Sequence, residues 1–245
     1  MLSTDSFLMD SLEYMLYFNG KYAQQFQLAV SEYPSIPQLN EDVEEIEIEG
    51  RSGNLIVKKG TYKDRKLTFK LKMLDVNNMW VMCDGILQWL NNITDNKLMY
   101  DREDRHFKVK RVIVGDIIKE VGRYGAFDVT FVCEPFAYGS KTSCSYSSTI
   151  KSTTLKNVSS FKVDPKIEIT GTGDIGININ GEIVTIKGLN GTVVIDSNLM
   201  LCYSGLNNYL GNMNGDFPQL QVGDNEITLN GNISKWHIEW DNIYR

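Results

Sequence analysis

The chain has few of the residues that most often carry chemistry. Its 245 residues include two histidines, four cysteines and five prolines. Cys83, Cys133, Cys144 and Cys202 lie far apart and form no CxxC pair, so no zinc site or redox motif is predicted. Isolated thiols of this kind are typical of a reducing compartment, and a disulfide between two of them is the less favoured alternative.

The charge balance and the lack of long apolar runs exclude further classes. The 31 acidic residues outnumber the 25 basic ones, giving a net charge of −6. This argues against nucleic acid as the main ligand, because a phosphate backbone is held by clustered Lys and Arg. No apolar run approaches the roughly 20 residues of a membrane-spanning helix. The first residues carry acids rather than the basic start of a secretory signal. We therefore expect a soluble protein made in a cytoplasm.

Composition changes near residue 137 and predicts two domains. The earlier part is rich in charged residues, residues 139–154 are rich in Ser and Thr, and Gly, Asn and Ile dominate after about residue 165. A polar stretch of this kind is typical of a linker or a solvated first strand. We predict domains at 1–138 and 139–245, with the boundary at about 137–145.

Two alternating segments in the first domain predict strands with charged faces. They cover residues 45–49 and 66–73, and glycine turns are predicted at 50–53 and 59–62. The acidic face consists of Glu45, Glu47 and Glu49, and the basic face of Lys66, Lys70 and Lys72. If the strands are neighbours, their opposite charges favour pairing within one sheet. If they are not, both faces are available to another subunit.

A helix and a hairpin follow in the first domain. Apolar residues recur at spacings of three and four from 76 to 92, which predicts an amphipathic helix with Asp75 or Asn77 as its N-cap. This apolar face contains Met79, Met82, Cys83, Ile86, Trp89 and Leu90. Residues 97–114 predict two strands around an acidic turn at 101–104. The domain is thus expected to be mainly β with one α-helix.

The second domain is predicted to be an all-β sandwich. Isoleucines alternate with Gly and Asn over residues 175–179, and Asn-Gly pairs at 180–181, 190–191 and 230–231 predict hairpin turns. Trp236, Ile238 and Trp240 predict a final strand. No long helical pattern follows residue 145.

Known catalytic and ligand-binding patterns are absent from the sequence. His106 and His237 fall in different domains, and no nucleophile, base and orienting group can be assigned. Acidic clusters at 101–104 and 212–216 favour solvated turns over calcium loops, since no bidentate Glu follows at the required spacing. We predict no catalytic residue, no metal and no cofactor.

Aromatic residues of the second domain allow one binding hypothesis. Tyr209, Trp236 and Trp240, near Asn-rich hairpins, could form a platform that stacks on a sugar. The alternative, which we favour, places the tryptophans in the core on an inward strand face.

A series of short motifs, in a fixed order, covers nearly the whole chain. They are Pro34-Ser35-Ile36-Pro37, residues 49–53 (EGRSG), residues 59–64 (KGTYKD), residues 88–90 (QWL), Lys97-Leu98, residues 131–136 (FVCEPF), residues 171–174 (GTGD), residues 215–218 (GDFP) and residues 223–225 (GDN). In this order they resemble the distal tail protein family of long, non-contractile-tailed bacteriophages.

The resemblance implies a structural virion protein, a homohexameric ring at the tail tip. Such a ring joins the tail-tube protein to the baseplate and the tail-associated fibre or lysin protein, with DNA only as passing cargo. The N-terminal domain would be a tail-tube-like β-sandwich or barrel with one helix, which builds the ring. The C-terminal domain would be a galectin-like β-sandwich. Receptor-binding or other baseplate proteins are further candidate partners. The protein would be assembled in the host bacterial cytoplasm and located in the virion, without membrane insertion.

By this resemblance the segment from Pro34 to Gly53 should reach a neighbouring subunit. The expected interface residues are Pro34, Pro37, Glu45, Glu47, Glu49, Arg51, Lys66, Lys70 and Lys72. The alternative function is a carbohydrate-binding module that contacts host cell-wall glycan through its C-terminal sandwich. A hydrolase is disfavoured because no acid/base pair is present.

Overall fold

The computed structural model describes residues 14–32, 34–36, 38–74, 79–117 and 125–245. In these residues the chain is mainly β, with antiparallel strand pairs and one α-helix, which confirms the predicted fold class. The chain divides into two compact units. The first ends at Ala137 and includes Arg245, and the second is Tyr138–Tyr244.

Among its described residues, the first unit contains eight strands, one helix and the beginning of a ninth strand. The strands are β1 Leu16–Phe18, β2 Lys21–Tyr22, β3 Leu28–Glu32, β4 Glu41–Ile46, β5 Leu55–Tyr62, β6 Arg65–Met73, β7 Lys97–Tyr100 and β8 His106–Val114, and the helix is α1 Met79–Asn91. A 3₁₀ turn covers Ala23–Phe26. Strand β9, Ala126–Ser147, begins in this unit and continues into the second.

Strand β6 is the centre of the first core. It pairs with β3 on one side and β9 on the other, and its residues alternate between buried and exposed. The buried side chains of this strand include Leu67, Phe69, Leu71 and Met73. The ring of Phe131 lies edge-on to Phe69, with centroids 5.7 Å apart, and to Phe18, at 4.9 Å. This alternation follows from the period of two in the sequence.

Helix α1 packs on this core through its predicted apolar face. Ile86, Trp89 and Leu90 are buried, and the indole N–H of Trp89 donates to the carbonyl of Phe18 at 2.7 Å. The helix ends at Asn91, one residue before the predicted end. The proposed N-caps, Asp75 and Asn77, lie outside the described residues, as does the predicted start at residue 76.

One asparagine, which the sequence did not suggest, fixes the end of this helix. Asn19 adopts a left-handed conformation, and its amide donates to the carbonyls of Trp89 at 2.8 Å and Asn92 at 2.6 Å. Its side-chain oxygen accepts from the backbone N–H of Thr94 and of Asp95. These bonds satisfy carbonyls that a helix end otherwise leaves unpaired.

Strands β4 and β5 form a separate two-stranded sheet. The predicted strand at 45–49 is therefore displaced, because β4 ends at Ile46 and the chain reverses between residues 47 and 54. The predicted turn at 59–62 is wrong: these residues continue β5. Gly60 has a positive φ of 73°, and the register shifts between Glu41 and Val43, so the glycine serves a bulge.

The second unit is built around three long strands. Its elements are β10 Ser152–Asn157, β11 Lys166–Ile179, β12 Glu182–Asp196, β13 Leu201–Ser204, β14 Asn207–Asn208, a 3₁₀ turn Leu210–Asn212, β15 Met213–Asn214 and β16 Gly223–Tyr244. The strand order is β14–β13–β12–β11–β16–β9, with β10 paired to β16 and β15 to β12. The alternating isoleucines of β11 are buried in the core.

Only one of the three predicted Asn-Gly turns reverses the chain. Asn180 and Gly181 join β11 to β12, with φ values of 53° and 95°. Asn190-Gly191 lies inside β12 and Asn230-Gly231 inside β16, so those two turn predictions are wrong. Gly231 serves a close approach: a Cβ there would come within 2.5 Å of the carbonyl oxygen of Asp174. The strands bulge at this point instead of turning.

A buried asparagine ties the start of β16 to the β11–β12 turn. Asn225 is fully buried, and its amide donates to the carbonyls of Gln221 at 2.8 Å and Gly223 at 2.9 Å. Its side-chain oxygen accepts from the Gln221 N–H and from the Asn180 amide. A buried amide needs such partners, because an unsatisfied one costs its full desolvation energy.

Candidate assembly surfaces

The β4–β5 hairpin extends away from the core of the first unit. We call residues Glu41–Tyr62 the arm. At about 3.3 Å per residue its eight-residue strand β5 is about 25 Å long. Every residue from Glu44 to Thr61 is exposed, and in the described part of the chain neither strand pairs with a third. We call the end of the arm at Glu41 and Tyr62 its root and the turn between β4 and β5 its tip. At the root, the ring of Tyr62 contacts Phe136 edge-on, with centroids 5.5 Å apart.

The arm exposes apolar side chains. Five apolar residues of the arm are each between 38% and 60% exposed: Ile46, Ile48, Leu55, Ile56 and Val57. A two-stranded hairpin is marginally stable in water unless another surface covers it. The arm therefore has the properties of a segment that binds a partner. The sequence prediction named only prolines and charged residues here, and the apolar run Leu55–Val57 was the signal it missed.

Charge is distributed unevenly along the arm. At the root, Lys58 pairs with Glu41 at 2.9 Å, which raises the pKa of Lys58, and Asp42 lies 3.8 Å from Lys59. Further out, Glu45 accepts a hydrogen bond from Asn54. Within the arm, the acids without a side-chain partner among the described residues are Glu44, Glu47 and Glu49. The distal half of the arm is therefore acidic as well as apolar.

The predicted basic face is present on β6 but is not paired with the acidic strand. Lys66 and Lys70 are exposed, and Lys72 is half-buried. The strand that carries Glu45 is β4, and it pairs with β5. Strand β6 has β3 and β9 on its two sides. The alternative of pairing within one sheet is therefore wrong.

Part of this basic charge is neutralised within the chain. Lys70 forms an ion pair with Glu32 at 2.8 Å, which raises the pKa of Lys70, and Asp128 lies opposite it on β9. Lys66 faces Val132 across the same ladder. The charge available to another subunit is thus greatest at the Lys66 end.

The remaining predicted interface residues lie near the two ends of the segment from Pro34 to Gly53. Pro34 is half-buried before β4, and Pro37 lies outside the described residues. Arg51 is exposed at the tip, where its backbone N–H donates to the carbonyl of Ile48 at 3.1 Å. Arg51 is the one basic residue in the turn that joins the two strands.

The structure does not form the sugar platform considered for the second unit. Trp236 and Trp240 are only 2% and 3% exposed. The indole of Trp236 stacks on Tyr146 at 4.3 Å and donates to the carbonyl of Ile150. Tyr209 is half-buried, and its hydroxyl donates to the carbonyl of Gly188. The tryptophans are core residues, and their ring faces are not available to a sugar.

Three of the four cysteines are held as neutral thiols. Cys83, Cys133 and Cys202 are buried, and burial raises the pKa of Cys133 to about 12, with a smaller effect from Asp64. Burial also raises the pKa values of Cys83 and Cys202. Since the thiolate is the reactive form, these residues act as small apolar side chains.

The histidines do not form a catalytic arrangement in the described structure. His237 lies on β16, with Ser145 Oγ 2.8 Å from its Nδ1 and a Glu239 oxygen 3.7 Å from its Nε2. Those side chains lie on exposed or half-exposed strand positions rather than in a cleft. His106 begins β8 in the other unit.

Among the described residues no group of three His, Cys, Asp or Glu side chains could hold a metal ion. In the same residues no helix is long and apolar enough to cross a membrane.

The fold can be compared with solved structures. No protein-family profile and no curated protein sequence matches the chain. The crystal structure of the Dit (gp 19.1) protein of phage SPP1, described as a paradigm of the hub adsorption apparatus of phages infecting Gram-positive bacteria, matches it with a TM-score of 0.72. The match covers 95% of this chain and 99% of the other, at 14% sequence identity. At the level of the fold, the resemblance to distal tail proteins is confirmed.

Proposed function

We propose that this protein is a structural component of a phage tail tip, a homohexameric adaptor that joins the tail tube to the baseplate or tail-tip fibre. The observation that carries this proposal is the exposed arm, which has no covering partner within the described chain. The fold similarity to a phage hub protein supports it, since the match covers nearly all of both chains.

The arm is the proposed contact between subunits. Its apolar side chains gain free energy when another copy covers them, at about 25 cal/mol per Å² of apolar surface. Its acids favour a basic acceptor, and β6 offers the exposed Lys66 on the same chain. One copy therefore carries both a donor segment and an acceptor surface.

The first unit forms the ring in this proposal, and DNA passes through it as cargo. The net charge of −6 disfavours tight binding of the DNA backbone. Tail-tube protein on one side and a fibre or lysin protein on the other are the proposed partners, together with receptor-binding or baseplate proteins. The protein is located in the virion tail tip after assembly in the bacterial cytoplasm, and no catalytic step is assigned to it.

Light scattering and negative-stain imaging of the purified protein test this proposal. We expect the unmodified chain to form rings at high concentration. A variant with a short Gly-Ser turn in place of residues 44–61 should remain folded and monomeric, because every residue from Glu44 to Thr61 is exposed. A monomer at every concentration, with no rings in the images, would contradict the proposal.

Charge reversal distinguishes assembly from folding. Lys66→Glu should weaken ring formation while leaving the thermal unfolding temperature nearly unchanged, since exposed charges contribute little to stability. Lys187→Glu is the matched control, because this exposed lysine lies in the second unit. Equal loss of assembly in both variants would show a general charge effect instead of a specific surface.

A further inference from the structure

A pocket lies at the root of the arm. Its volume is about 240 Å³, large enough for a carboxylate side chain, and it lies beside β5 and the start of β6. Its lining includes Ile36, Leu39, Glu41, Tyr62 and Arg65. Arg245, which belongs to the same unit, also lines it.

Arg65 carries an unpaired charge into this lining. Its side chain follows the inward face of β6, and the residue is only 6% exposed. Its Nε and Nη2 atoms are buried, and neither has a hydrogen-bond partner in the described structure. The guanidinium lies over the ring of Phe107, 5.7 Å from its centroid, and burial lowers the pKa of Arg65. A buried cation without an anion is strongly unfavourable.

The acids near Arg65 are already neutralised by other residues. Glu41, in the pocket lining, pairs with Lys58 at 2.9 Å. Asp64, the preceding residue, pairs with Lys110 at 2.7 Å. Cys133, opposite Arg65 on β9, is held as a neutral thiol. The two acids nearest to Arg65 in the sequence and in the lining are therefore each paired with a lysine rather than with Arg65.

The unpaired atoms define the ligand. Nε and Nη2 lie on one edge of the guanidinium, and two parallel N–H groups on one edge match the two oxygens of a carboxylate. Both atoms are closed to solvent in the free chain, so the flexible side chain has to turn slightly into the adjoining pocket to bind. An isolated ammonium group has no such fork.

The arm tip supplies suitable carboxylates, but not to its own chain. Glu47 and Glu49 are exposed and without side-chain partners among the described residues. The tip is about 25 Å from its own root, because the arm is an extended hairpin. A second copy can bring its tip to this pocket.

We propose that the Arg65 pocket of one copy receives the carboxylate of Glu47 or Glu49 from the arm of a second copy. This inference rests on the proposed function, and it identifies where the arm ends. It also explains the unpaired guanidinium, which becomes neutralised only in the assembly.

Substitution of Arg65 gives two opposite effects that can be measured separately. Arg65→Met removes an uncompensated buried charge, so the melting temperature of the dilute monomer should rise. The same change should raise the dissociation constant of the assembly at least about tenfold, the usual loss for a hydrogen bond to a charged group. The dissociation constant of Arg65→Lys should lie between those of the unmodified chain and Arg65→Met, since lysine keeps the charge but lacks the two parallel N–H groups.

The control is Arg111→Met, an exposed arginine on β8 of the same unit. It should change neither the melting temperature, measured by thermal unfolding, nor the dissociation constant, measured by light scattering over a concentration series. If Arg65→Met lowers the melting temperature and leaves assembly intact, Arg65 is a structural residue and the inference is wrong.

Cross-linking between two populations tests the position of the tip directly. One population carries Ile36→Cys at the pocket, and the other, with an affinity tag, carries Glu47→Cys or Glu49→Cys. Oxidation of the mixture should give a disulfide-linked dimer, and pairing Ile36→Cys with Thr149→Cys should not. An unmodified chain that never assembles would refute the proposed function. An assembly that forms without this cross-link, and tolerates Arg65→Met, would refute only the pocket.

Discussion

Ile56 offers the most direct test of the arm, because the chain provides a matched control. Ile56 lies on β5 in the arm and is 60% exposed. Ile183 lies on β12 in the second unit and is 62% exposed. Both can be replaced by threonine, which keeps the β-branched shape and the strand propensity. The two variants therefore differ in position but hardly in local chemistry.

The expected magnitude follows from the exposed fraction. Full burial of an isoleucine side chain stabilises by about 1.5–3 kcal/mol, so covering the exposed 60% of Ile56 contributes about 1–2 kcal/mol. Threonine keeps part of that apolar surface, which leaves a loss of about 1 kcal/mol for each contact. A loss of this size raises a dissociation constant about fivefold.

The assay is light scattering after size-exclusion chromatography, over a series of protein concentrations. Ile56→Thr should shift the assembly midpoint to higher concentration while the monomer melts at nearly the same temperature. Ile183→Thr should assemble like the unmodified chain. If both variants assemble equally well, the arm is not covered in the assembly, and its apolar residues need another explanation.

Other residues give further expectations. Asn225→Ala should reduce the free energy of unfolding by about 2–4 kcal/mol in urea titration, since it leaves several buried polar groups unpaired, whereas Asn190→Ala, at an exposed position, should change it little. Because the folded pKa of Cys133 is raised to about 12, the unfolded chain releases its proton first, and stability should fall between about pH 9 and pH 12. Cys133→Ala should make that slope shallower, and an unchanged slope would contradict the assignment. Trp236→Phe should cost about 1 kcal/mol through the lost hydrogen bond to Ile150, without any effect on binding to a glycan array.

The sequence predicted the elements whose residues alternate regularly. The buried face of β6 and the apolar face of α1 follow from periods of two and 3.6, because each is packed against a core. The β7–β8 hairpin follows from its acidic turn, and Asn180-Gly181 from its left-handed geometry. Local patterns are enough wherever local geometry and burial agree.

Glycine was misleading where the structure uses it inside strands. Gly60, Gly191 and Gly231 have positive φ values, which is what a tight turn requires, yet each lies within a strand. A bulge and a close backbone approach need the same conformation as a turn. The sequence alone does not tell these uses apart, because the difference depends on which strand lies alongside.

For the candidate surfaces, the sequence predicted which segment of the chain is involved, but neither its hairpin nor the pocket beside it. Glu45, Glu47 and Glu49 were predicted to lie on one face of a strand, but only Glu45 lies on β4, and the strand that pairs with it was not identified. Arg65 was not predicted, although one more step of the same alternation places it on the face of Leu67 and Phe69. Its importance depends on Lys58 and Lys110, which neutralise the nearby acids from other strands.

The arm also determines how many copies can be satisfied at once. In the proposed assembly it is a donor whose receiving surface lies elsewhere on the same chain, and copies that join head to tail, rather than by reciprocal exchange, complete every contact only in a closed ring. A dimer joined by one arm still has one free arm and one empty receiving surface, and so does every longer open chain. Only when the last copy's arm reaches the first copy does no apolar hairpin remain in water. Closure is thus the point at which growth by this contact ends.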